Sequence, residues 1–316
     1  MKVRTFLFVL LAASTTAFAQ FPSRAITILV PIPPGGAPDI AARVVAAKLS
    51  ENIGQAVVVE NRAGANGNIA TDLVAKAAPD GHTLGLLADS QITINPHLYK
   101  MPLDTLRDLT PVTPVAVNQF VLTVNPSLPV RTFPEFVAYA KNANPPLAYA
   151  SGGNGSQHHL TMEMLKQRAG INLLHVPYKG GAPAATATVA GDTMAMWSGS
   201  SNAPQIKAGR LRPLAVSGAQ RSAQYPELPT IGEFYPGFEN SIWLGLFGPA
   251  NIPETVLVKL RAELKRVLEA PDVKEKLNAA GGLDPYVASP EEFTALIKRD
   301  YAKYAKVVKE IGIKLD

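Results

Sequence analysis

Strand-type runs alternate with helix-type segments along most of this chain, and twice the alternation stops for a long β-rich stretch. ITILVP (26–31), a helical pattern at 39–51, VVVEN (57–61), IATDLVAKAA (69–78) and TLGLLAD (83–89) make the first series. Such alternation argues for parallel strands covered by helices. PVTPVAVNQFVLTVNP (111–126) interrupts it, Pro-bounded and with no helix behind its first half. A second series follows: LAYASG (147–152), a helix at 156–170, LLHVPYKGG (173–181), a helix over 182–190, TMAMWSG (193–199) and LRPLAVSG (211–218). IWLGLFGP (242–249) is the second long β-type run, after which the chain finishes helically. Two α/β series joined by two β-type crossings predict two lobes on a double hinge, each a mainly parallel sheet flanked by helices. Residues 20–122 plus 242–316 would form lobe I, and 123–241 lobe II. Ligands of open α/β sheets bind beyond the carboxyl ends of the strands, so the lobes should face each other across a cleft.

Local signals place several helices. T-F-P-E (132–135) is a capping box opening a helix to Asn142, and S-P-E-E (289–292) opens the last one with Pro290 in its first position. That helix carries Phe293, Leu296, Ile297, Tyr301, Tyr304, Val308 and Ile311 on one stripe, a pattern for docking on a core. In the helix at 39–51, Ile40, Val44, Ala47 and Leu49 fall on roughly one face.

The first twenty residues, MKVRTFLFVLLAASTTAFAQ, have cations at Lys2 and Arg4, an apolar run from Phe6 to Ala13, and A-F-A at 17–19. That order marks a secretory signal peptide, residues 1–19, cleaved after Ala19. The apolar run is too short to cross ~30 Å of hydrocarbon as a helix. Cleavage removes two cations and no acid, taking the net charge from +5 to +3. The protein is therefore expected to be periplasmic. With no Cys there are no disulfides, thiolate nucleophiles or Cys-bound metals. The basic residues form no run interleaved with aromatics, which argues against nucleic acid as a partner.

The chemistry concentrates in the turns that follow strands. PPGGAPD (33–39) should offer the amides of Gly35, Gly36 and Ala37 at a helix N-terminus, a place that favours anions. Asp39 either caps that helix or touches the ligand. RAGANGN (62–68) and ADSQ (88–91) end neighbouring strands and offer Asn66, Ser90 and Gln91. In the second lobe YASGGNGSQHHL (149–160) repeats the strand, glycines and helix, with Ser156 at the helix start; YKGG (178–181) adds Tyr178 and Lys179, and WSGSS (197–201) adds hydroxyls. One turn alone is too weak a grip. A hydrogen bond to a charged group is worth about 1.5–3 kcal/mol, a helix end roughly 0.3–1, and micromolar affinity needs about 8 net of association costs. Two turns closing from opposite lobes suffice.

Other chemistries find no footing. Adjacent His158 and His159 point ~100° apart on a helix and cannot share a metal. His82, His97 and His175 lack ligand spacing, so neither metal nor cofactor is expected. There is no G-x-S-x-G, and the helix amides would claim Ser156. The competing readings are a secreted α/β enzyme acting on a small acid, and an envelope sensor or interaction protein. The first would need an activated nucleophile, base or metal. The second should expose a large apolar patch.

The blocks FPSRAITILVPIPPGGAPDIAAR, GQAVVVENRAGANGNIATDLVAKAAPDGHTL, LAYASGGNGSQHHL, HVPYKGGAPA, IKAGRLRPLAVSGAQRS and ELPTIGEF, in that order, resemble the Bug-type extracytoplasmic solute receptors. These are the binding proteins of tripartite tricarboxylate transporters, and the likeness covers essentially the whole mature chain. It implies a non-enzymatic, monomeric, two-lobed periplasmic binding protein of Venus-flytrap, type II-like form, which closes on a small carboxylate and serves a two-component membrane permease. By motif match, carboxylate contact falls on Gly35, Gly36 and Ala37 in one lobe and Ser151, Gly155 and Ser156 in the other, while His159 matches the family's usual histidine. Three departures stand out: Pro38 replaces a hydroxyl residue, Gln157-His158 replaces small residues, and WSGS (197–200) lacks the usual acid before its serine. Without that acid the ligand is expected to lack an amino group, as an aromatic or dicarboxylic acid does, with Trp197 or His158 shaping the pocket beside Ser198.

Overall fold

A computed structural model describes residues 21–222, 224–279 and 283–312; the signal segment and its cleavage site lie outside them. The strands are β1 (Ile26–Val30), β2 (Val57–Asn61), β3 (Thr83–Ala88), β4 (Leu109–Gln119), β5 (Val121–Val124), β6 (Leu147–Ser151), β7 (Leu173–Pro177), β8 (Ala195–Ser198), β9 (Arg212–Val216), β10 (Ser241–Pro249) and β11 (Asp284–Pro285). They form two sheets, ordered β11-β4-β10-β3-β1-β2 and β7-β6-β8-β5-β9. Helices pack on each sheet, and each lobe has its own core. Ile26, Ile28 and Leu84 anchor the first, Phe133, Phe136, Tyr149 and Trp197 the second.

Both sheets are mixed, with most strands of each running one way. β1 runs parallel to β2 and β3, and β6 to β7 and β8, but β10 opposes β3 and β4, and β5 opposes β8 and β9. The physical reason lies in the crossings. Strands of the βα units end at the cleft, whereas β5 and β10, which bring the chain in from the other lobe, start there. The two crossings are bonded side by side. Phe120 N donates to Ser217 Oγ (2.9 Å), Ser217 N to Phe120 O (2.9 Å), and Asn240 N to Ser217 O (2.7 Å).

The helix Ala37–Ile53 carries Pro38 in its first turn, where no amide bond is lost, and ends on Gly54 at φ +68°. It buries Ala41, Ala42, Val45, Ala46 and Leu49, leaves Ile40 and Val44 half-buried and exposes Ala47. The buried stripe is thus turned from the sequence reading, because alanines let the helix come close to the sheet and the larger residues sit at its margins. Thr132 caps Phe133–Asn142 by accepting from Glu135 N (3.3 Å). Ser289 and Glu292 complete a reciprocal box at the start of Pro290–Ile311. Phe293 and Ile297 of that last helix pack with Trp243 and Phe247, and further along Tyr304 and Val308 pack with Ile94 and Leu160. Leu160 belongs to the second lobe, so this helix ties the two together. Among the described residues no helix is long and apolar enough to cross a membrane.

Candidate functional site

A cleft of about 170 Å³ opens between the lobes, and its walls come from the carboxyl ends of strands in both. After β1 come Ile32, Gly36, Ala37 and Pro38; after β2, Asn66; after β3, Ser90 and Gln91. From the second lobe, Gly152, Ser156, Gln157 and His158 follow β6, Gly180, Gly181 and Ala182 follow β7, and Gly199, Ser201 and Asn202 follow β8. No Lys, Arg, Asp or Glu is among the lining residues.

Three long helices begin at this cleft: Ala37–Ile53, Gln157–Ala169 and Gly181–Ala190. A helix leaves its first amides without intrahelical partners, and its N-terminus carries a partial positive charge. Not every amide in the turns is free. Gly35 N donates to Asp39 Oδ2 (2.9 Å), leaving Gly36 and Ala37 to face the cleft. Asp39 itself brackets the loop. It also takes Arg43 Nε (3.1 Å) and Asn61 Nδ2 (2.9 Å), while Asn61 Nδ2 holds Ile32 O (3.0 Å). Burial would raise the Asp39 carboxyl, but bonds from Arg43, the Gly35 amide and Asn61 carry it below its ordinary range. Asp39 thus ties the preceding loop to the helix without capping a helix amide, and neither it nor Gly35 is among the residues lining the cleft.

In the second lobe Gly155 N is spent on His159 Nδ1 (3.0 Å), and Ser156 Oγ accepts from His159 N (3.3 Å). Ser156, Gln157 and His158 reach the cleft; Gly155, His159 and Ser151 do not. Ser151 is fully buried, its Oγ 2.6 Å from His175 Nε2, and the His159 and His175 rings stack at 3.8 Å. Burial lowers both imidazoles, and the neighbouring His159 adds to the effect on His175, which drops to about 4.

Four more residues move out of the site. Trp197 and Ser198 lie on β8, between β6 and β5 and covered on both faces. Trp197 is wholly buried in the second core, and Ser198 Oγ pairs with Thr123 Oγ1 (2.7 Å). Tyr178 packs with Ala184 and Leu211, and Lys179 is exposed. In YKGG and WSGSS it is the later residues that line the cleft, because the chain only turns toward it once the strand has ended. In the first lobe Asn66, Ser90 and Gln91 are brought together as expected. Gln91 Nε2 donates to Asn66 O (3.1 Å) and Ser90 Oγ (3.0 Å), and its Oε1 accepts from Ala88 N (2.9 Å), so this amide holds the wall rather than a ligand.

The sequence reading missed the floor: Asn118 and Phe120 at the first crossing, Ile242 and Leu244 on β10, and Leu283. For the first four the only signal was position at the crossings. Phe120 packs against His158, ring centroids 4.5 Å apart.

Two α/β lobes sharing a cleft at their strand ends, floored by the chain crossings, define a hinged solute-binding protein. The chain belongs to the tripartite tricarboxylate transporter family of receptors, whose pattern matches residues 41–313. It is 37% identical to BugT of Bordetella pertussis over 311 residues, 96% of this chain and 94% of BugT. It superposes on Rpa4515 of R. palustris, solved with adipate, with a TM-score of 0.89 and 34% identity, covering 93% of this chain and 99% of that one. MatC of Rhodopseudomonas palustris, solved with bound malate, gives 0.83 and 30%, covering 91% and 100%.

Proposed function

We propose that this chain is a periplasmic receptor which captures a small organic carboxylate in its inter-lobe cleft and hands it to a two-component membrane permease. Released by cleavage after Ala19, it would work as a monomer whose lobes, 20–122 with 242–316 and 123–241, close about the paired crossings at Phe120 and Ser217. The observation that carries the reading is the convergence of three helix N-termini, drawn from both lobes, on one cleft without a charged lining residue. Such a site attracts an anion through amides and dipoles, and it grips only when both lobes contribute. Adipate and malate in the two relatives point to the same chemistry. No nucleophile paired with a base faces the cleft among the described residues, which favours a receptor over an enzyme.

The test is a melting screen of the purified protein against mono-, di- and tricarboxylates and aromatic acids. At a hundredfold excess over Kd a ligand stabilises by about 2.7 kcal/mol, which raises the midpoint by several degrees. If no acid moves the midpoint while the protein melts cooperatively, the reading fails.

A further inference from the structure

One wall of the cleft is a seat for a ring. Phe120, at the first crossing, and His158, in the first turn of Gln157–Ala169, hold their rings 4.5 Å apart at 34°. The imidazole rests over bare backbone. A Cβ on Gly152 would stand 3.0 Å from its Nδ1, and one on Gly181 3.4 Å from its Cε1, so side chains there would crowd the ring. Ile32, Ile242 and Leu244 extend the apolar surface. The His158 ring makes no hydrogen bond among the described residues, and burial lowers its pKa to about 4, so it brings no charge to the cleft at neutral pH.

We infer that the cleft is built for an acid with one carboxylate and a flat apolar body, the carboxylate at the helix starts and the body on the Phe120–His158 ring pair. This rests on the carboxylate-receptor reading above and narrows it. Size agrees: an apolar cavity of about 150 Å³ accepts benzene, and this cleft holds about 170 Å³. Charge agrees as well. A second carboxylate lying on this wall would lose its water against Phe120, Ile242 and Leu244, with no cation lining the cleft to replace it. Aromatic faces, by contrast, add stacking to simple burial.

The test is calorimetric titration with benzoate, cyclohexanecarboxylate, adipate and malate. Benzoate should bind at least tenfold tighter than adipate or malate, and more tightly than the puckered cyclohexanecarboxylate. His158→Ala should weaken benzoate about tenfold, while His158→Phe, which keeps a ring, should hold it within threefold. Equal or tighter binding of adipate or malate overturns the inference and leaves the receptor reading intact. Parity between benzoate and cyclohexanecarboxylate, or loss of benzoate binding in a folded His158→Phe protein, overturns the ring seat. Binding of none of the four acids, together with a silent melting screen, brings down both.

Discussion

Gln157 of the second lobe donates its side-chain amide to Asp89 of the first, whose carboxyl is wholly buried. The same nitrogen reaches Tyr304 OH (3.1 Å), Tyr304 OH donates to Asn240 Oδ1 (2.7 Å), and Asn240 Nδ2 donates back to Gln157 Oε1 (3.2 Å). Burial pushes the Asp89 carboxyl well above its ordinary range, and the charge of Asp300 pushes it further. Four distant stretches of chain therefore meet in one buried ring of polar groups beside the cleft. Gln157 lines the cleft, yet its amide is occupied by this ring.

Removing the hub should be costly. Gln157→Ala leaves Asp89 Oδ2 without its partner and takes one bond each from Tyr304 OH and Asn240 Nδ2, all without access to water, and a buried polar group left unpaired costs about 1–3 kcal/mol. Urea denaturation should show a loss of about 2–4 kcal/mol. A loss below about 0.5 kcal/mol would mean that water or a repacked neighbour replaces the amide.

Asp39 predicts an effect on binding without contact. Asp39→Ala releases the Gly35 amide, Arg43 and Asn61 together, so the turn presenting Gly36 and Ala37 loses its bracket. The acid that gives the largest shift in the melting screen should bind at least tenfold more weakly to this variant, as pre-organisation is lost. Affinity unchanged within twofold would show that the turn holds its shape unaided.

Gly67 is fixed by conformation and by space. Its φ is +89°, and a Cβ there would lie 2.8 Å from Gln91 Cγ and 2.9 Å from Pro31 Cβ. Gly67→Ala should cost about 2–4 kcal/mol, from left-handed backbone strain and overpacking together. Equilibrium unfolding reads it directly, and a neutral result would require the β1 and β3 loops to shift without penalty.

The histidines give a pH dependence with a definite sign. Unfolded imidazoles titrate near 6.5, whereas burial holds folded His158 near 4. Between those values the unfolded chain binds a proton that the folded chain refuses, so this contribution to stability falls as pH drops from about 6.5 to 4 and levels off below. Replacing the ring by His158→Phe removes it. The unfolding free energy of wild type minus that of the variant should decline by about 1–3 kcal/mol across the window. Parallel curves would refute a His158 held neutral by the fold.

Much of the architecture could be read from the chain alone because it is set by local rules. β-branched runs, capping boxes at Thr132 and Ser289, and glycines behind strands act over a few residues, and they gave two α/β series, two crossings and a cleft at the strand ends. Which residue of each turn reaches that cleft is not local. Strand neighbours point to opposite faces, and whether a face is core or cleft depends on what the other sheet and its helices cover. Hence Trp197 is core, Gly199 is lining, and the amides of Gly35 and Gly155 are consumed by Asp39 and His159. Phe120, Ile242 and Leu244 join one wall, and Asp89, Gln157, Asn240 and Tyr304 one network, only because the chain crosses twice between lobes. Contacts over such separations are decided by packing, which no short stretch of sequence contains.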